Sequence, residues 1–286
     1  MKLSIRPKAS IFSVAKTLSA VIFCVALASS IVGCQKNEAA LETDRPSGTY
    51  SDDPTATSPS ADTENLSDSK PTDDSLSGPT LVASPEKDFS FIDNEDNTVT
   101  ITEYKGAGGT VVIPSKLGGK PVTSIGAWSF AGCSTIASIT IPNSVTAIET
   151  GALDGCTGLV SIIIPSSVTI IGAGALGGCT SLTSIIIPDS VTAIDGDVFW
   201  GCTCLTTIVI PASVTMFSGS RTFENCSSLE SIYFEGNAPD VYGVNHFMGT
   251  APGFTIYYRR GTTGWGETDA EGNPLGTWQG YPLAVY

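Results

Sequence analysis

Over the second half of the chain, apolar residues alternate with polar ones in short beats, and the whole figure returns every 23 residues: Ile141-Pro142, Ile164-Pro165, Ile187-Pro188 and Ile210-Pro211 open successive units in step. The first beat, Leu-x-x-Ile-x-Ile-Pro, has the period of two expected of a strand buried on one face. Proline ends it, because it has no amide hydrogen to give to a ladder. A second extended run, Ser-Val-Thr-x-Ile, follows, and then a turn of small residues that closes on Phe or Leu and Cys. Self-similarity at this period predicts a solenoid, in which each unit buries its apolar face only against its neighbours.

Stacking the units at the roughly 4.8 Å spacing of paired strands gives columns of like residues. Leu159, Leu182, Leu205 and Leu229, with Ile162, Ile185, Ile208 and Ile232, are expected to stack into a parallel sheet. Phe130, Leu153, Leu176, Phe199 and Phe223 form a second buried column, and each such side chain contributes about 1.5 to 3 kcal/mol before entropy is subtracted. The first unit, Ile113 to Thr140, fits once five extra residues around Lys116 to Lys120 are allowed for, and Asn237 to Tyr258 reads as a degenerate sixth, with Phe247 in the position of Phe223. The expectation is therefore a mostly β chain, a solenoid of about six units with end caps.

These units, for example IPSSVTIIGAGALGGCTSLTSII, resemble the BspA-type leucine-rich repeat of bacterial surface proteins over Phe89 to Tyr286. Thr98 to Ile113 with Gly118-Gly119-Lys120-Pro121-Val122 is similar to that family's N-terminal cap, and Ile256-Tyr257-Tyr258, Gly264-Trp265 and Gly280-Tyr281-Pro282 to its closing segment. The resemblance implies a leucine-rich-repeat solenoid at 88–286, divided into a cap at 88–112, five repeats at 113–236 and a degenerate repeat with C-terminal cap at 237–286. It also implies adhesion or protein binding, since proteins with this repeat are associated with attachment to host matrix proteins and to other bacteria.

Composition divides the rest of the chain. Residues 1–33 carry Lys2, Arg6, Lys8 and Lys16 with no acid, followed by an apolar stretch from Leu18 to Leu27. That is shorter than the roughly 20 residues needed to cross a bilayer, so it predicts an export signal. Ile31-Val32-Gly33-Cys34 resembles the lipobox of bacterial lipoproteins, in which the cysteine is lipidated and becomes the new N-terminus; Cys34 would then tie the protein to a membrane. From residue 35 to 87, Ser, Thr, Asp, Glu and Pro dominate and Tyr50 is the only aromatic. Such a segment cannot bury enough apolar surface to offset chain entropy and predicts a disordered tether, roughly 40 Å in root-mean-square span. Without the signal's bases, 10 Lys and Arg stand against 28 Asp and Glu, which makes nucleic acid and anionic lipid poor partners.

Candidate chemistry is thin. Cys133, Cys156, Cys179, Cys202 and Cys226 share one repeat position. Parallel side-chain vectors make disulfides between them awkward, so they are expected to be buried thiols. Cys202-Thr203-Cys204 lacks a second cysteine pair, and His246 is the one histidine, so no zinc site is expected. Gly172-Ala173-Gly174-Ala175-Leu176-Gly177 matches a dinucleotide fingerprint in letters, yet Pro188 arrives before a crossover helix could form. Acids at Asp93 to Asp96 and at Asp189, Asp195 and Asp197 read as solvated turns, the first in a hairpin, without the spacing of a calcium loop. No nucleophile elbow is present and His246 has no evident catalytic partner; no enzyme and no cofactor are expected.

What remains is the outward side of the strand sheet. Ser161, Ser184 and Thr207 run beside an apolar column of Ile163, Ile186, Val209 and Tyr233. Exposed apolar columns mark contact sites, although β-branched residues also favour strands for their own sake. Trp200 holds a variable position on the turn side. The reading is a lipid-anchored surface protein, held in the cell envelope outside the cytoplasm, whose solenoid binds a protein ligand such as a host matrix or cell-surface protein. A structural role in envelope assembly without an external ligand is the alternative.

Overall fold

The structure, a computed structural model, describes residues 82–271 and 273–286. The predicted export signal, Cys34 and the tether up to residue 81 lie outside the described residues. From Glu86 the chain makes one 3-10 turn, Glu86–Asp88, and then winds as a solenoid built from short strands.

Each coil has three sides. On the front, Gly109–Val112, Ile136–Thr140 and Ser161–Ile163 pair in parallel, and so do Thr207–Ile210, Ser231–Phe234, Thr255–Tyr258 and Tyr281–Val285. The coil between these groups joins the second through the bridge of Ile186 to Val209. On the back, Lys120–Ile125, Ala147–Ile148 and Ile170–Ile171 form one run, and Ala193–Ile194, Met216–Phe217 and Asp240–Val241 another. Register advances one repeat per rung, as in Ile139 to Ile162 and Ile208 to Ile232. The predicted strand phase holds: Ile162, Ile185, Ile208 and Ile232 are buried, and Ser184 beside Ile185 is exposed.

The third side is a ladder of turns. Leu153 N donates to Ala175 O at 2.9 Å and Leu176 N to Val198 O at 3.1 Å. Two residues per coil take a left-handed conformation there, for which glycine has no steric penalty. At Gly178, with φ of 64°, a Cβ would also come within 3.4 Å of Gly155 in the preceding coil. The column predicted inside this side is fully buried, and from Phe199 onward it is a stack of rings: Phe199 on Phe223 at 5.3 Å and Phe223 on Phe247 at 5.7 Å.

Two features depart from the sequence expectation. First, the end segments are more than lids, because Gly109–Val112 and Tyr281–Val285 each add a rung to the front, so about eight turns result where about six repeats were read. Leu283, Ala284 and Val285 continue the register of Ile256, Tyr257 and Tyr258, while Trp265 and Trp278 close the core against Phe234 at 5.0 and 5.7 Å. Second, the sheet is not continuous. Front and back ladders are both interrupted between the coil of residues 161–171 and the coil of residues 184–194, and Thr183 N reaches Val160 O at 3.3 Å where Val160 N reaches Ala137 O at 2.9 Å. This seam falls where the buried column changes from Leu176 to the larger Phe199, while the turn ladder crosses it unbroken, Gly174 N donating to Gly196 O at 2.9 Å.

Candidate functional site

The front face presents the predicted column in register: Thr140 beside Ile163, Ile186 beside Val209, Val209 beside Tyr233 and Tyr233 beside Tyr257. Its members differ in access to water. Ile186 is 64% exposed and Ile163 38%, whereas Val209 and Tyr233 are half-buried. Tyr233 stacks on Tyr257 at 4.7 Å and meets the edge of Tyr286 at 5.5 Å, so it belongs to an aromatic cluster at the C-terminal end of the face. The seam lies between Ile163 and Ile186, which places the column on two sheets instead of the single one expected. The neighbouring hydroxyl column is part of the same surface: Ser184 and Thr207 are exposed, Ser161 is half-buried, and Ser231 donates to Thr207 Oγ1 at 3.1 Å.

The turn side carries a concavity of about 400 Å³, with Trp128 at one end and Trp200 at the other. The two indoles are 57% and 40% exposed. Only Trp200 stood out in the sequence. Trp128 falls inside the first, irregular unit, where the extra residues at Lys116 to Lys120 obscure the register, although its place two residues before the column residue Phe130 aligns it with Gly151 and Gly174. Between the indoles the floor is made by Ala173, Gly174 and Gly177. Asp154 leans over Gly177, whose Cβ would lie 2.7 Å from Asp154 Oδ1. Burial first, and the nearby Asp197 second, push the Asp154 carboxyl above its ordinary range. Arg221 is engaged with Asp197 through two nitrogens, Nε to Oδ1 at 3.0 Å and Nη2 to Oδ2 at 3.1 Å.

Groups considered for catalysis are tied into the scaffold. His246 is buried, its Nε2 hydrogen directed at Tyr242 O and its Nδ1 accepting from the Thr222 hydroxyl, both at 3.0 Å. Burial pulls its pKa below the usual histidine value. The repeat cysteines point into the core, and from Cys156 onward each thiol donates to a carbonyl of the preceding coil, as Cys179 does to Leu153 O at 3.4 Å and Cys226 to Phe199 O at 3.0 Å. Their spacing serves the contact between coils. The Asp93 to Asp96 acids sit where a hairpin was predicted, Phe89–Asp93 running antiparallel to Val99–Tyr104, with Asp93 paired to Lys120 at 2.7 Å and Asp96 accepting from Thr98. The glycines of Gly172 to Gly177 lie in the turn ladder, with no helix after them.

Residues 113–250 match the profile of the BspA type leucine rich repeat region in six copies. Among solved structures, the leucine rich repeat protein of T. pallidum is 32% identical with a TM-score of 0.54, the match covering 59% of this chain and 89% of that one. A leucine rich cell surface protein from Faecalibacterium prausnitzii is 29% identical with a TM-score of 0.52, the match covering 68% of this chain and 60% of that one. No curated protein matches the chain.

Proposed function

The chain belongs to the BspA-type leucine-rich repeat family, and on that premise we propose that it is a surface-displayed, non-enzymatic binding protein whose front face takes up a protein ligand. The observation that carries this reading is the exposure of Ile163 and Ile186 on an ordered strand surface that runs into the Tyr233, Tyr257 and Tyr286 cluster. An aliphatic patch next to rigid aromatic rings is the composition of an interface centre, and tyrosine is enriched among the residues that dominate binding energy. A flat face of several strands offers such a patch without a cleft that would enclose a small substrate.

The cell-surface relative from F. prausnitzii supports display outside the cytoplasm, and the signal-like N-terminus with Cys34 supports anchoring through lipid, since a diacylated cysteine holds a membrane where a single chain would not. The acidic segment after Cys34 then acts as a spacer that carries the solenoid clear of the membrane. Host matrix proteins and other cell-surface proteins are the ligand class proposed.

The test is capture of matrix and envelope proteins by the purified protein, followed by titration of the captured ligand. Ile186→Ser combined with Tyr233→Ala is expected to weaken binding at least tenfold, about 1.4 kcal/mol, with little change in melting temperature. Unchanged affinity in that double variant removes the front face from the interface.

A further inference from the structure

The turn side holds a site of a different kind, and it stands independently of the front face. At the slot occupied by Trp128 the backbone is left-handed in every repeat: Gly151 and Gly174 fill it at φ of 61° and 65°, while Trp128 adopts φ of 59°, Asp197 60° and Arg221 60°. A bulky residue in this region is strained, and glycine is the relaxed choice. Backbone strain of that sort collects where function demands a particular side chain. Here the two bulky residues held in this conformation, Trp128 and Arg221, line one concavity together with Asp197 and Trp200.

The geometry defines what fits. Trp128 lies over Gly151, where a Cβ would come within 2.4 Å of the indole, and beyond it the space over Gly174 is open. Trp128 and Trp200 belong to coils three apart, so the groove is about 14 Å long at the spacing of paired strands. That distance is too great for both rings to enclose one cation, which must sit within about 6 Å of each ring centre. It suits instead an extended ligand with a flat apolar face at each end. Between the platforms, the Asp154 carboxyl meets no donor among the described residues, and burial and the nearby Asp197 raise its pKa; its oxygens are free to accept hydroxyl or amide hydrogens. Arg221, the cation of the groove, is engaged by Asp197. With a formal net charge of −14 on the chain, an anionic ligand is opposed.

We propose that this groove binds a short neutral oligosaccharide, its outer rings stacked by their C–H faces on Trp128 and Trp200 and its central hydroxyls donating to Asp154. Sugars combine the required features: apolar ring faces that pack on indole, hydroxyl donors between them, no charge, and a length set by several linked rings. The open space over Gly174 lets them approach the backbone.

The experiment uses the full-length protein in detergent, screened against an array of neutral glucan, xylan, mannan and N-acetylhexosamine oligomers, with quenching or shift of tryptophan fluorescence to titrate each hit. Trp128→Gly is the informative variant, because it restores the relaxed residue of the slot: melting temperature is expected to hold or rise while affinity falls at least tenfold. Trp200→Ala and Asp154→Ala are expected to weaken the same ligand, and Ile186→Ser on the front face to leave it unchanged. The proposal is overturned if no neutral oligomer binds, if Trp128→Gly binds as the wild type does, or if only a cationic peptide such as oligo-arginine perturbs the two tryptophans. Failure of the front-face variants to affect a protein ligand would leave this outcome untouched.

Discussion

Cys156 gives its thiol hydrogen to the carbonyl oxygen of Phe130, one coil back and 3.1 Å away. Cys179, Cys202 and Cys226 repeat the contact, so the cysteine column is a set of weak hydrogen bonds between coils, each to a carbonyl that also accepts the amide of the cysteine in its own coil. Burial pushes the thiols of Cys156 and Cys226 up to about 12, and those of Cys179 and Cys202 upward as well.

The thiolate is the reactive form of cysteine, so these four side chains are expected to resist maleimide in the native protein. Cys133, half-buried in the first repeat, should label first. Unfolding without reductant should then release the others. Rapid native labelling of Cys179 or Cys202, or their failure to label after unfolding, would contradict the assignment.

Ile185 is 7% exposed inside the front rung next to the seam, and Ser184 faces solvent. Asp at position 185 would bury a charge without a partner and is expected to cost about 4 kcal/mol or more. Ser184→Asp should stay within about 0.5 kcal/mol. Equal melting temperatures for the two variants would mean that the side-chain phase is inverted.

His246 joins two coils as a neutral ring, between the Thr222 hydroxyl and the Tyr242 carbonyl. Its folded pKa lies below the 6.5 of the free side chain, chiefly through burial, so the unfolded chain binds its proton more readily. The contribution is complete above about pH 6.5 and is lost as pH falls through the lower folded value. Compared with His246→Gln, the wild type is expected to lose stability more steeply on acidification across that window, measured by urea unfolding at stepped pH. Parallel curves would remove His246 from the pH response.

The proposed anchor depends on one sulfur. Labelled fatty acid is expected to enter the wild-type protein in its bacterial host and not Cys34→Ala, which should appear in the soluble fraction. Equal incorporation into both would rule out lipidation at this residue.

Much of the fold was legible because a solenoid writes its packing into period. Leu159, Leu182 and Leu205, 23 residues apart, can share a column only if the coils stack in register, and that stacking sets which neighbours point outward. Less legible was whatever depends on distances between coils. The eighth rung at Tyr281–Val285 has no repeat signature, since its register is set by Thr255–Tyr258 beside it. The seam arises between coils whose letters are nearly the same, Ser161-Ile162-Ile163 and Ser184-Ile185-Ile186. At the sites, Ile163 and Ile186 were readable from alternation, but the partial covering of Tyr233 by Tyr257 and Tyr286 was not, because Tyr286 arrives from the far end of the chain. Trp128 was hidden by an irregular unit, and only its alignment with Gly151 and Gly174 discloses it.

If the protein is held at one end, as proposed, the seam has a mechanical consequence. Among the described hydrogen bonds, the turn ladder carries the regular backbone bonding across it, through Gly174, Leu176 and Gly178, the last donating to Trp200 O at 2.6 Å. Tension along the solenoid would open the front and back first and leave the turn side as the pivot, bending the molecule toward the groove that Trp128 and Trp200 border from opposite sides of the break. A rigid ligand seated on both rings would act as a splint across that joint, so occupancy of the groove would be felt as stiffness in the whole coil stack.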